Sequence, residues 1–308
     1  MFRGVAVQAR SGRRALLLMG AVAALAAAGC GSNPTGSGSN NGGGGTNPGN
    51  NPYQVPPPEN PDGGSPPAMN ANIGLGSNPT LGSYLVNAAD GRTLYYFGLD
   101  LPAAGAQAAV SNCTGTCLAF WPIFHVDTPS VPAGLSASDF AELTRADGTM
   151  QTTYKGWPLY EFSADSKAGD TNGDNFVGSG APWYVLRNPF YSALVMTKNG
   201  GPAIYLADPA GRTLYVFAQD TVGTAGTPPV SNCTGACLAN WPAFLAGGDV
   251  VPTGIDPSKL TTFTRADGTK QSAFDGHPLY YFAGDAVPGD QKGNGFMGLW
   301  SIVDPTSL

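Results

Sequence analysis

Two pairs of cysteines share one spacing, Cys113 with Cys117 and Cys233 with Cys237, and a fifth, Cys30, stands alone near the start. On one helical turn, positions i and i+4 hold their Cα atoms about 6 Å apart, within disulfide reach. C-x3-C also suits copper binding or thiol exchange, with a histidine to complete the site. The chain has only two histidines. When the cysteine pairs are aligned, His125 falls opposite Leu245 and His277 opposite Trp157, so neither copy keeps the other's histidine. Structural disulfides and redox or copper work both stand at this point, and an oxidising compartment favours the disulfides. Only the local pairing, Cys113–Cys117 and Cys233–Cys237, gives both copies one environment.

Four aspartates form a second candidate set. Asp100, Asp165, Asp220 and Asp285 each close a run Gly-x-x-Leu-Tyr-x-Phe-x-x-Asp, with Tyr95 and Phe97, Tyr160 and Phe162, Tyr215 and Phe217, and Tyr280 and Phe282. Leu-Tyr-x-Phe is strand chemistry, with Tyr and Phe on one face and Leu on the other. The middle positions, Tyr96, Glu161, Val216 and Tyr281, are then expected to be exposed. An Asp where a strand ends caps a turn by accepting backbone N–H bonds. Asp170, Asn172 and Asp174 look like the start of a calcium loop, but position 12 is Ala181 and position 6 is Asn175. The second copy reads Asp290-Gln291-Lys292-Gly293-Asn294, so a glycine-rich turn is the better reading and calcium the weaker one. No phosphate loop, Ser-His-Asp set or zinc spacing is present. The sequence therefore assigns no catalytic residue and no cofactor.

The elements that hold these residues are short strands. With 44 Gly, 27 Pro and 12% charged residues in 308, the chain is poor material for helical bundles and suits strands joined by many turns. The formal charge of −6 opposes nucleic-acid binding. Shifted by 120, residues 91–178 match residues 211–298 at about 41 of 88 positions without a gap, which marks a duplication. GRTLY, SNCTG, TRADGT and G-x-PLY all recur. Hairpins are expected at Ala89-Asp90-Gly91 and Ala266-Asp267-Gly268, and closing strands at Trp183-Tyr184-Val185 and Trp300 to Val303. Helix is limited to a turn after each CTG and one at Asp256 to Leu260. The fold class is mostly β, two tandem β-rich domains at 73–190 and 193–308. Most aromatics sit at repeated positions and read as core. Trp157 and Phe120, which face His277 and Asn240 in the other copy, are the candidates for exposed, copy-specific contacts.

Ahead of the repeats, Arg3, Arg10, Arg13 and Arg14 precede about fifteen small or apolar residues, Ala15 to Gly29. That run is too short for a membrane span and reads as a signal peptide over 1–29. Ending on small residues and Cys30, it resembles the lipobox of bacterial lipoproteins, with Ala27 where Leu is usual. The resemblance implies acylation of Cys30 and anchoring in the cell envelope. Gly31 in place of Asp implies the outer membrane. Arg13-Arg14 leaves general or twin-arginine export open. From Gly31 to Pro67 ten Gly and nine Pro leave too little apolar surface to fold, so residues 30–72 read as the acylated cysteine and a tether.

From about residue 80 onward the chain resembles the secreted lipoprotein repeat family with the Yx(F/W/Y)xxD motif. The elements that carry this are Tyr95-x-Phe97-x-x-Asp100, Cys113 to Cys117 with Trp121-Pro122, Asp147-Gly148 with Gln151, Gly156 to Tyr160, and Gly169-Asp170, all repeated 120 residues later. The resemblance implies that each copy folds alone. It supplies no catalytic residue, because the family's function is uncharacterised. The resulting expectation is a lipid-anchored, non-enzymatic binding or envelope module, whose partners are the membrane and an unknown envelope or extracellular ligand. Exported thiol-redox or copper handling is the alternative.

Overall fold

The first copy opens with a hairpin of β1 (Ile73–Asn78) and β2 (Gly82–Asn87), followed by β3 (Tyr95–Phe97) and one helical turn, α1 (Cys117–Phe120). Then come β4 (Phe140–Thr144), β5 (Met150–Tyr154), β6 (Trp157–Pro158), β7 (Phe176–Gly178), β8 (Ala181–Val185) and β9 (Arg187–Asn188). The second copy runs β10 (Leu194–Thr197), β11 (Ile204–Ala207), β12 (Tyr215–Phe217), α2 (Ala236–Asn240), β13 (Leu260–Thr264), β14 (Lys270–Phe274), β15 (His277–Pro278) and β16 (Trp300–Ile302). The computed structural model describes residues 71–197 and 204–308. The signal segment, Cys30 and nearly all of the tether lie outside the described residues.

The fold is mostly β, as expected. All pairings are antiparallel, in the orders β1-β2-β9, β3-β8-β7 and β4-β5-β6, then β10-β11, β12-β16 and β13-β14-β15. The β4–β5 and β13–β14 hairpins turn where the repeated Ala-Asp-Gly predicts. Asp147 and Asp267 accept the Thr149 and Thr269 N–H groups at 3.0 and 2.9 Å, and Gly148 and Gly268 take φ of 81° and 82°. The expected helical turn near residue 256 is a 3-10 turn, Pro257–Lys259, capped by the Asp256 side chain. The chain between Gly298 and Trp300 is too short to reverse into a hairpin. There the counterpart of β7 coils into a 3-10 turn, Phe296–Gly298.

The apolar interior divides into three clusters. One is private to the first copy and contains Tyr95, Phe97, Trp121, Tyr160, Phe162 and Trp183. Its counterpart in the second copy is built on Tyr215, Trp241, Tyr280 and Trp300. The third and largest is shared, joining Tyr96, Trp157 and Leu186 of the first copy to Leu206, Val216 and Phe274 of the second. The described residues accordingly form one compact unit.

Two expectations are corrected by this shared cluster. Tyr96, expected to be exposed, is completely buried, and Val216 nearly so. The Tyr96 ring packs on Trp157, Tyr184 and Tyr191 at centroid distances of 5.1, 5.5 and 5.8 Å. Trp157, expected at the surface, is also fully buried, and its indole Nε1–H donates to the Pro209 carbonyl of the second copy at 3.0 Å. Alternation predicts exposure only when one sheet face meets solvent, and β3 is covered on both. Phe120 does stand exposed.

Candidate functional site

The four motif strands meet in pairs. Tyr95 and Tyr160 exchange backbone hydrogen bonds at 2.9 and 3.1 Å, and Tyr215 and Tyr280 do so at 2.9 Å each. Their side chains then cross over. The Tyr95 hydroxyl donates to Asp165 Oδ2 at 2.7 Å, and the Tyr160 hydroxyl donates to Asp100 Oδ2 at 2.8 Å. In the second copy Tyr215 donates to Asp285 at 2.7 Å and Tyr280 to Asp220 at 2.6 Å. Each motif's tyrosine thus serves the other motif's aspartate. The remaining oxygen, Oδ1, accepts a backbone N–H from Asn112, Asn172, Asn232 or Lys292. The aspartates do accept backbone N–H bonds, as expected, but mainly to tie distant loops to the box, and their tyrosine partners were not foreseen.

A stack of rings fills each box. Trp121 and Trp183 lie face to face, 3.8 Å apart and 1° from parallel, with Phe162 stacked on the first and Phe97 on the second. Trp241 and Trp300 repeat this at 3.7 Å between Phe282 and Phe217. The two tyrosines stand edge-on to the indoles, at 5.4 and 5.1 Å in the first copy. A Cβ on Gly173 would come within 2.7 Å of Trp121, and one on Gly293 within 2.8 Å of Trp241. This close approach accounts for glycine in the repeated Gly-Asp-x-x-Gly turn.

Behind Tyr160 runs a buried polar relay. Arg145 Nη1 donates to Ser111 Oγ, Ser111 donates to the Tyr160 hydroxyl, and Tyr160 donates to Asp100. The guanidinium also donates to Gln151 Oε1 at 2.6 Å and to the Cys113 carbonyl at 2.7 Å. Arg265, Ser231, Gln271 and Cys233 repeat the arrangement around Tyr280 and Asp220. Sequence reasoning missed these arginines as site residues. Their signal was the recurrence of TRADGT and SNCTG, whose polar residues proved to share one network.

Each cysteine pair is a local disulfide, Cys113–Cys117 and Cys233–Cys237, with Cα atoms 5.4 and 5.3 Å apart. His125 Nε2 faces Glu142 at 3.3 Å and His277 Nδ1 faces the Asp275 carbonyl at 3.0 Å, so both histidines are engaged away from the cysteines. The calcium reading also finds no support. Asp170 accepts the Ser166 and Lys167 N–H groups, Asn172 Nδ2 donates to the Ala164 carbonyl, and Asp174 accepts from Val185. Among the described residues no three His, Cys, Asp or Glu gather in one place.

Burial pushes the Asp100 carboxyl up to about 7, against the Asn112 N–H, Tyr160 and Arg145, which pull it down. Burial also raises Asp165, Asp220 and Asp285. A carboxyl raised on folding binds its proton more tightly in the native state. Its contribution is therefore complete at pH below the unfolded value near 4 and is lost as pH rises toward 7. For one carboxyl the slope is at most about 1.4 kcal/mol per pH unit. The thermal midpoint of wild-type protein should thus fall between pH 5 and 7.5, and Asp100→Asn should flatten that fall. Melting curves across the range check this; identical pH slopes for both proteins would refute it.

These features define a class of protein, a tandem β structure in which paired half-units close disulfide-clipped aromatic boxes. Residues 142–187, 195–244 and 261–304 each match a family described as a secreted repeat of unknown function. These three stretches are repeats of that family, in keeping with an exported protein. Each match spans about half of the 120-residue period and contains one Tyr-x-Phe-x-x-Asp run, so the family's repeat corresponds to the half-unit. No curated protein and no solved structure matches the chain. Among the described residues no helix is long and apolar enough to cross a membrane.

Proposed function

We propose that the protein is a lipid-anchored, non-enzymatic module of the bacterial envelope that works by binding. One observation carries this reading: the repeated polar motif is spent inside the fold. All four motif carboxylates hold a tyrosine hydroxyl on one oxygen and a backbone N–H on the other. What the chain offers its surroundings is instead a set of exposed apolar side chains. Phe176 and Val177 recur 120 residues on as Phe296 and Met297, exposed by 44, 73, 43 and 78%. Phe120 and Leu245 are exposed without an apolar counterpart in the other copy. The signal-like start and the glycine- and proline-rich stretch after Cys30 support a tether to the membrane, held by more than one acyl chain.

Cys30→Ser tests the anchor. Cells fed a palmitate analogue should label the wild-type protein and leave the variant unlabelled and outside the membrane fraction. A variant that still labels and partitions with membranes refutes it. On the same preparations, alkylation before reduction should find the four repeat cysteines blocked. Four free thiols, or copper at about one per copy, would instead establish redox or copper handling.

A further inference from the structure

The β13 strand runs Leu-Thr-Thr-Phe-Thr along the edge of its sheet, paired on one side only. The ladder fixes which backbone groups point outward. Arg265 N–H donates to the Thr269 carbonyl at 2.8 Å, and Asp275 N–H donates to the Lys259 carbonyl at 2.9 Å. Odd-numbered residues from 259 to 265 therefore face β14, and the N–H and C=O groups of Thr262 and Thr264 face away from it. Among the described residues none of these four groups has a backbone partner.

Thr261 to Thr264 line a groove of about 910 Å³, at the upper end of the usual range for ligand pockets. The 223–229 loop also lines it, tied to the β14–β15 turn by the 2.8 Å bond from Gly223 N–H to the Gly276 carbonyl. The charged groups that line the groove are largely engaged. Lys259 pairs with Asp275 at 2.8 Å, Lys270 bonds the Thr264 hydroxyl, and Asp256 caps Ser258.

The equivalent edge of the first copy, β4, is guarded. It carries Glu142, paired with His125 at 3.3 Å. A charge on an edge strand is a common device against adding another strand. The second copy has Thr262 and the 54%-exposed Leu245 at these two positions, so the carboxylate and its histidine partner are both gone. The duplication has kept the edge and removed its guard.

We infer that β13 is a docking edge that takes an extended polypeptide segment as an added antiparallel or parallel strand. Outward donors and acceptors on Thr262 and Thr264 repeat at two-residue spacing, which an extended backbone matches. The threonine-lined, charge-balanced groove fits a segment with small, uncharged side chains. This inference rests on the binding-module reading and names its site and partner class.

The probe is a display library of random proline-free heptapeptides, selected on the intact protein. Selected peptides should slow hydrogen exchange of the Thr262 and Thr264 amides at least tenfold while leaving the Glu142 and Thr144 amides unchanged. Binding should weaken at least tenfold in Thr262→Pro, which removes an outward N–H without touching the β13–β14 ladder. It should also weaken in the double variant Thr262→Glu with Leu245→His, which restores the guard of the first copy. The double variant's melting midpoint reports folding independently. Peptides that bind but protect other amides would overturn the edge assignment and leave the binding-module reading standing. No enriched peptide would overturn the edge assignment, whereas the module reading falls only on the thiol and copper result above. Protection that grows with protein concentration in the absence of peptide would overturn it in favour of a second copy of this chain.

Discussion

Replacing Trp183 by alanine is expected to cost about 3–5 kcal/mol, the range for truncating a large buried aromatic. Trp183 is fully buried and stacked between Phe97 and Trp121, with Tyr160 edge-on at 5.1 Å. Its removal leaves a ring-sized void and also loosens the wall that holds Tyr160 against Asp100. Trp300→Ala should cost a similar amount, because Trp300 has the same neighbours in the second box. Phe176→Ala, at the exposed rim, should cost under about 1 kcal/mol by comparison. Urea titrations measure all three, and the tryptophan variants should lower the midpoint with little change in slope. A loss below 1 kcal/mol for either tryptophan would show that the stack is not what holds its box together.

Separating the copies is expected to have a larger effect still. Residues 73–190 and 193–308 each keep a private aromatic box, yet each would expose its half of the shared cluster. Burying one large apolar side chain stabilises by about 1.5–3 kcal/mol. Tyr96, Trp157, Leu206, Val216 and Phe274 together therefore represent on the order of 10 kcal/mol, comparable to the whole stability of a typical domain. Each half alone should be unfolded or self-associated at 25 °C, and the two halves expressed together should recover one cooperative melt. Two monomeric halves, each melting at the intact protein's midpoint, would show that the shared cluster contributes nothing. The family resemblance implies only that each copy can fold alone.

The sequence made the local structure readable and left the joins hidden. The hairpin turns, the single helical turns after each CTG, and the disulfide pairing all depend on residues within a few positions of one another. Spacing within a short segment is enough to specify them. The crossing of Tyr95 to Asp165 and Tyr160 to Asp100 spans 70 and 60 residues. No local pattern encodes it, although the fourfold recurrence of both residue types was visible. Arg145 and Arg265 were passed over because a charged residue is ordinarily taken for surface, and these two are buried by four polar partners apiece. Tyr96 departs from the pattern because the second face of β3 is covered by the shared cluster. Trp157, on β6, has no aromatic counterpart and so reads as copy-specific surface, whereas its indole packs into that cluster and reaches Pro209. One further exchange shows tertiary pairing acting on sequence. Asp139 and Lys155 form an ion pair at 2.9 Å, and 120 residues on the partners are inverted, Lys259 with Asp275 at 2.8 Å. Exposed pairs of this kind add little stability, so the sign of each charge is free as long as the two differ.

The reciprocal bond between motifs also sets a rule of parity. A half-unit brings one tyrosine hydroxyl in need of a carboxylate and one carboxylate in need of a hydroxyl, and its own geometry satisfies neither. Two halves close on each other and leave nothing over; a third would end with a buried donor and a buried acid unanswered. Growth of such a chain by single halves is therefore blocked by hydrogen bonding rather than by length. Chains built this way lengthen in twos, and one with an odd half must borrow its complement from another molecule.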